Sequence, residues 1–209
     1  MPRQEKGEAM IRVFLLLIVL SGVPHHVASE PPTSMENLME GKIDTGRTIH
    51  LEFVVNASRA EVFQLWTTEE GLKTFFAPRA HVDLRLGGAY EMIFAPDLDP
   101  EGENQGTKGA RILRLEKDRA LAFEWITFVY EKHPSGFGPP VVSREVRDER
   151  PIPTWVEIDL RDVPGQPGAT HLRLMHRGFR SGGPWDEALA YFWRQWGAIL
   201  GRLGAVCSR

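Results

Sequence analysis

The chain of 209 residues holds one cysteine, Cys207. That excludes a disulfide framework within the chain and any multi-cysteine metal site. Charge of one sign is also lacking: 25 Lys and Arg against 28 Asp and Glu leave a formal charge of −3. So even a balance offers no face broad enough to hold nucleic acid by neutralising phosphates. The longest apolar run, Val13–Leu20, has eight residues, far short of the ~20 that a membrane-spanning helix needs. No Gly-x-Ser-x-Gly elbow occurs, and Cys207 beside the C-terminus is a poor place to build a preorganised nucleophile, so a serine or cysteine hydrolase is unsupported. What is present is an ordinary globular composition, 42% hydrophobic and 25% charged, with one excess: six Trp and eleven Phe beside only three Tyr. That length suits one domain plus extras, and the aromatics point to a ring-rich interior with room for a cavity.

The extra material lies at the N-terminus. Arg3, Lys6 and Arg12 precede the apolar run, Ser21-Gly22 follows it, and Val27 and Ser29 place small residues at the positions a signal peptidase reads. Residues 1–29 are therefore expected to be a signal peptide cut before Glu30, with Met10-Ile11-Arg12 as a second possible start carrying its own basic head. Its removal leaves 22 basic and 26 acidic side chains. The expected location is secreted or periplasmic, where a lone cysteine has no partner within the chain to mispair with. Residues 30–47 read as a polar lead-in without periodicity.

The pattern then changes. Ile49, Leu51, Phe53 and Val55 alternate with His50, Glu52, Val54 and Asn56, a strand with one buried face. Ser58-Arg59-Ala60-Glu61 is a capping box opening a short helix through Val62, Phe63, Leu65 and Trp66. It also accounts for the Asn56-Ala57-Ser58 sequon without a glycan. Thr67-Thr68-Glu69-Glu70 opens a second helix through Leu72 and Phe75-Phe76, which Pro78 ends. Val82, Leu84 and Leu86 then alternate toward Gly87-Gly88, read as a two-residue hairpin turn, and Tyr90, Met92 and Phe94 alternate back. Further strands are expected at Ala110–Glu116, Ala120–Phe128, Thr154–Arg161 and Thr170–His176, about six in all. The Pro- and Gly-rich stretch 130–153 is long enough to be a lid. Last comes the clearest element: Trp185, Leu189, Phe192, Trp193, Trp196, Ile199, Leu200 and Leu203 fall on one helical stripe.

An order of strand, two short helices, about six strands and one long helix fits an α+β helix-grip fold, an antiparallel sheet wrapped round a C-terminal helix. The motifs carry a family likeness as well. Ala57-Ser58-Arg59-Ala60-Glu61-Val62-Phe63 with Trp66 and Thr67 comes first, then Phe76 and Asp83-Leu84-Arg85-Leu86-Gly87-Gly88. Gly109, Leu121-Ala122-Phe123-Glu124-Trp125, Thr154-Trp155-Val156, Thr170, Leu172, Leu174, His176, Gly178-Phe179 and the Trp185 to Trp196 helix complete the series. In that order they resemble the START-like (SRPBCC, Bet v 1-like) superfamily, in the branch named for the activator of the heat-shock-protein-90 ATPase. The likeness runs from about Thr48 to Leu203, within a domain placed at 48–205, and the long link at 130–153 departs from the branch's usual pattern.

Candidate chemistry is sparse. His171 and His176 sit five apart on one strand, so they face opposite sides and cannot share an ion. His81, Asp83 and Arg85 read as a surface ion pair, and Asp97, Asp99, Glu101 and Gly102 as a solvated loop, because Lys108 stands where a calcium loop needs a bidentate Glu. Alternation turns Glu124, Glu157 and Asp159 away from the apolar sets, toward water; Glu91 is a further strand carboxylate. No catalytic residue, cofactor or metal is assigned. The expected function is an exported, non-hydrolytic domain binding a small hydrophobic or aromatic ligand between the long helix and the sheet. Its expected lining is Trp66, Phe76, Tyr90, Phe94, Trp125, Trp155, Trp185, Trp193 and Trp196. Neither nucleic acid nor a membrane span after signal cleavage is expected. The resemblance implies two alternatives: relatives in the superfamily that cyclise or dehydrate polyketides in the same cavity, and a chaperone-ATPase activator, whose cytosolic partner does not suit an exported chain.

Overall fold

In the computed structural model, residues 40–43, 47–102, 106–125, 154–181 and 184–208 are described. The signal peptide expected at 1–29 and the insertion at 130–153 lie outside them. Strand β1 spans Glu40–Ile43 and β2 Ile49–Val55. In β2, Ile49, Leu51, Phe53 and Val55 are all buried, as their alternation requires. Helices α1 (Arg59–Thr67) and α2 (Glu69–Phe75) follow. The capping box forms as read: the Ser58 hydroxyl accepts from the Glu61 amide at 3.3 Å, and the Ser58 amide donates to Glu61 Oε2 at 2.8 Å. Then come β3 (Arg79–Val82), β4 (Tyr90–Ile93), β5 (Ile112–Glu116), β6 (Ala120–Trp125), β7 (Thr154–Asp162), β8 (Thr170–Arg177) and the 24-residue α3 (Pro184–Cys207).

Every strand pair is antiparallel. Six strands form one sheet in the order β1-β2-β8-β7-β6-β5, and β3 pairs with β4. A bridge between Ala89 and Arg111, with the Tyr90 amide donating to the Ala110 carbonyl at 2.9 Å, ties the β3–β4 pair to the start of β5. Helix α3 packs on β2 and α2. It buries Trp185, Leu189, Phe192, Trp196, Leu200 and Leu203 against the inward residues of β2, β6, β7 and β8. Asp186, Arg194 and Arg202 lie on the exposed side, and Arg202 Nε donates to the Phe75 carbonyl at 2.7 Å, closing the orphan end of α2. This is the α+β helix-grip architecture.

The structure corrects the sequence reading in three places. Glu40–Ile43, assigned to the polar lead-in, is a strand, because its main chain pairs with the edge that β2 leaves open, Gly41 opposite Leu51. Edge pairing of that kind rests on backbone bonds and needs no side-chain alternation. Gly87-Gly88 is not a two-residue hairpin turn: β3 ends at Val82, which pairs with Tyr90, so the connection runs from Asp83 to Ala89. Within it the Gly88 amide donates to the Arg85 carbonyl, Gly87 alone of the two has a positive φ (75°), and Leu86 is 68% exposed. The apparent alternation of Leu84 and Leu86 therefore continues past the end of pairing. Finally, β5 begins at Ile112, and its register shifts between Ile112 and Arg114, a bulge that leaves Leu113 exposed.

Candidate functional site

The inner face gathers aromatic rings from every layer. α1 contributes Trp66, the end of α2 Phe75 and Phe76, β6 Phe123 and Trp125, and α3 Phe192 and Trp196. Phe76 is the hub. Its ring stacks on Trp125 at 6.0 Å with planes 9° apart, and meets Trp196 edge-on at 5.4 Å and Trp66 at 5.6 Å. Offset and edge-on contacts of this kind are favoured by the ring quadrupoles. On β8, Thr170, Leu172, Leu174 and His176 point inward by the period of two, which sets His176 among the rings. Phe179, Phe192, Trp125 and Trp196 surround the imidazole, with centroids 4.5, 5.3, 5.7 and 5.9 Å away.

His176 is completely buried. Its Nδ1 accepts a 3.0 Å hydrogen bond from the Trp196 indole N–H. An indole can only donate, so Nδ1 carries the lone pair and the neutral ring bears its proton on Nε2. Burial pushes the imidazole down from 6.5 to about 3, so it is uncharged at neutral pH. Among the described residues its Nε2 has no hydrogen-bond partner, and the indole nitrogen of Trp66 has none either. Tyr90 donates from its hydroxyl to the Trp66 carbonyl at 2.6 Å, and burial raises its pKa well above the ordinary value; Tyr191, edge-on to Phe192 at 5.2 Å, is raised by burial as well. At neutral pH these groups are therefore uncharged.

The outer face of the sheet is different. A groove of about 780 Å³ sets arginines against carboxylates. Arg173 and Arg114 meet Asp159 at 2.5 and 3.1 Å, Arg177 meets Glu157 at 3.1 Å, and Arg59 meets Asp162 at 2.8 Å. Burial works against ionising Asp159, but the hydrogen bonds and charges of Arg173 and Arg114 outweigh it and hold that carboxyl below its usual range. Glu157 and Asp159 face outward as alternation implied, although they are paired by arginines as well as wetted. Glu124 and Glu91 are used locally, accepting from the amides of Arg111 and Gly109. His171 also faces outward, 3.2 Å from Glu52, and Arg85 meets Asp83 at 2.7 Å. Among the described residues no group of three His, Cys, Asp or Glu is arranged to hold a metal ion. A second groove, of about 490 Å³, runs beside Cys207. That thiol is pushed up to about 11 by burial and by the nearby Glu61 charge, so it stays protonated and weakly nucleophilic.

The family model described as Activator of Hsp90 ATPase homolog 1-like protein matches residues 56–207. The chain belongs to this family. It is the START-like branch that the motifs resemble. Three solved structures show the same fold. The Aha1 dimer from Colwellia psychrerythraea is 16% identical, with a TM-score of 0.53 over 77% of this chain and 95% of that one. MLL2253 from Mesorhizobium loti is 17% identical, with a TM-score of 0.56 over 78% and 98%. CalU16 from Micromonospora echinospora is 20% identical, with a TM-score of 0.51 over 81% and 83%. No curated protein matches the sequence significantly.

Of the nine aromatics expected to line a site in this Hsp90-activator-like domain, the structure brings most together. Trp66, Phe76, Trp125 and Trp196 are joined directly, and Tyr90 is joined through Phe123, 4.3 Å away. Phe94 sits at the rim, 6.0 Å from Phe76 and 6.3 Å from Trp125, and 37% exposed. Trp185 connects through Phe179 at 6.4 Å, with the Arg180 guanidinium 5.7 Å from its centroid. Trp193 is only partly buried, at the edge of the core. Trp155 does not belong to the set. It shares the outward parity of Glu157 and donates from its indole nitrogen to Glu157 Oε1 at 2.8 Å. The sequence reading took His176 as part of the family likeness and weighed it as a metal ligand, and missed its place among the rings. The signal was there: a histidine in the inward register of Thr170, Leu172 and Leu174, within reach of the tryptophan stripe.

Proposed function

We propose that this domain binds a small apolar or aromatic molecule between α3 and the sheet, after export of the chain from the cytosol. The observation that carries the reading is the continuous run of rings from Trp66 to Trp185, which reaches the surface at Phe94. A ring-lined interior with few polar groups is the usual form of a small-molecule site. A binding role is favoured over catalysis because, among the described residues, the titratable groups against the rings, His176, Tyr90 and Tyr191, are held in their neutral forms, and the Tyr90 hydroxyl is already engaged. Cyclisation in the manner of polyketide-processing relatives needs a group that exchanges protons near pH 7, and His176 at about 3 is a poor base for it.

Native mass spectrometry of the gently purified chain, with titration of an apolar fluorescent dye, tests the binding reading. A recurrent bound mass or saturable dye binding is expected, and repeatedly empty spectra without dye binding would overturn it. Export rests on the basic head, apolar run and small residues at 27 and 29. Among the described residues no helix is long and apolar enough to cross a membrane. N-terminal sequencing from the natural host should begin at or near Glu30. An intact Met1 or Met10 on the abundant form would overturn export and favour the chaperone-activator reading that the family's description carries.

A further inference from the structure

The His176 imidazole has one nitrogen satisfied and one left over. We propose that His176 Nε2–H is the hydrogen-bond donor of the ligand site, and that the ligand is a neutral aromatic molecule bearing a carbonyl oxygen. The proposal rests on the binding reading above and names the chemistry of its occupant. The tautomer follows from Trp196, whose indole N–H donates to Nδ1 and leaves the proton on Nε2. That donor is wholly buried and without an acceptor among the described residues, and the imidazole that carries it is ringed by Phe179, Phe192, Trp125 and Trp196 with centroids within 5.9 Å. A buried donor facing hydrocarbon is costly, and an acceptor placed there removes the cost. The second spare polar atom in the run of rings, Trp66 Nε1, is also a donor. Both unmet demands are thus for acceptors, which excludes a ligand whose polar end only donates.

Charge narrows the class further. Among the described residues no Lys or Arg is buried, and the guanidinium of Arg180 lies over the outlying ring of Trp185. A carboxylate brought to Nε2 would lose its hydration without gaining a cation, a penalty that one neutral donor does not repay. A ketone or aldehyde oxygen on a ring system gives up little hydration and accepts the bond. The rings then supply stacking surface for its aromatic part.

The test uses three probes of matched size, 2-acetonaphthone, 2-ethylnaphthalene and 2-naphthoate, titrated into the full chain and into His176→Phe at pH 7 by calorimetry. In the unaltered chain acetonaphthone should bind about tenfold more tightly than ethylnaphthalene, the discrimination that one buried hydrogen bond supports. Naphthoate should bind more weakly than either. In His176→Phe, which keeps a ring in the cage, the tenfold preference should vanish while ethylnaphthalene affinity is kept. Equal binding of acetonaphthone and ethylnaphthalene to the unaltered chain, or a preference that persists in the variant, would overturn the role of His176 and leave the binding reading standing. Failure of all three probes to bind would overturn both. Nitrogen-15 NMR of the histidine ring covers the case in which the variant does not fold. The proton should sit on Nε2 and its resonance should move with acetonaphthone but not with ethylnaphthalene. A proton on Nδ1, or an unmoved Nε2 signal while both probes bind, refutes the proposal.

Discussion

Acid should unfold this domain earlier than its carboxylates alone would dictate, and His176 is the reason. In the folded chain burial holds the imidazole at about 3, whereas in the unfolded chain it titrates near 6.5. Between those values the unfolded state binds one proton that the folded state refuses, so stability falls as pH falls through that window. The slope is about 1.4 kcal/mol per pH unit once the unfolded histidine is fully protonated. From pH 8 to pH 5 the integrated loss is about 2 kcal/mol. Glu61, Glu116 and Asp159 have folded values held below their ordinary 4.5 or 3.8. Their stabilisation is kept above those ordinary values and lost only at lower pH, so the range from 8 to 5 isolates His176 from them. Urea unfolding followed by tryptophan fluorescence at pH 8, 7, 6 and 5 gives the slope. The same series on His176→Gln isolates the part that belongs to His176. The two stabilities should converge by about 2 kcal/mol as pH drops to 5. Parallel curves would refute the reasoning, because they would mean that His176 takes up a proton in the folded state as easily as in the unfolded one. Should the variant prove too unstable, the ring-proton resonances of His176 in the unaltered chain should not titrate between pH 8 and 5.

Trp196 and Trp193 separate interior from edge. Trp196→Ala should cost about 3–5 kcal/mol, since the ring is 1% exposed and its loss also strips His176 Nδ1 of its partner. Trp193→Ala should cost distinctly less, about 1–2 kcal/mol by area, and equal losses in denaturant unfolding would contradict the placement of Trp193 at the edge. Gly71→Ala should destabilise by more than about 2 kcal/mol, because an added Cβ would stand 2.5 Å from the Leu65 carbonyl oxygen where α1 turns into α2. Gly201→Ala, on the open side of α3 with nothing within 4 Å, should instead raise the melting temperature, and a loss there would count against the packing described for α3. Ser58→Ala should cost about 1 kcal/mol through the lost cap of α1, read from thermal unfolding, and no change would mean that the capping box contributes nothing in solution.

By itself the sequence determined whatever depends on neighbours along the chain. The alternation of Ile49 to Val55, the box at Ser58 to Glu61 and the eight-member stripe from Trp185 to Leu203 each set one element and its buried face. Those faces, taken in order, were enough for the helix-grip fold and its family. The outward direction of Glu157 and Asp159 followed from the same period of two. Trp155 shows that the rule outranks residue type: an aromatic on the parity of Glu157 goes to the outer face, however well it would suit an interior. Tertiary structure decided the rest. Glu40–Ile43 became a strand because β2 offered an unpaired edge, and β3 ended at Val82, opposite Tyr90, where Ala89 bridges to Arg111 instead. Above all, the bond from Trp196 to His176 joins residues 20 apart in sequence on different elements. Neither residue carries a local mark of it. The tautomer, the depressed pKa and the unmet Nε2 donor arise when helix and sheet close over the ring and water leaves, because desolvation is a property of the assembled interior and not of any segment within it.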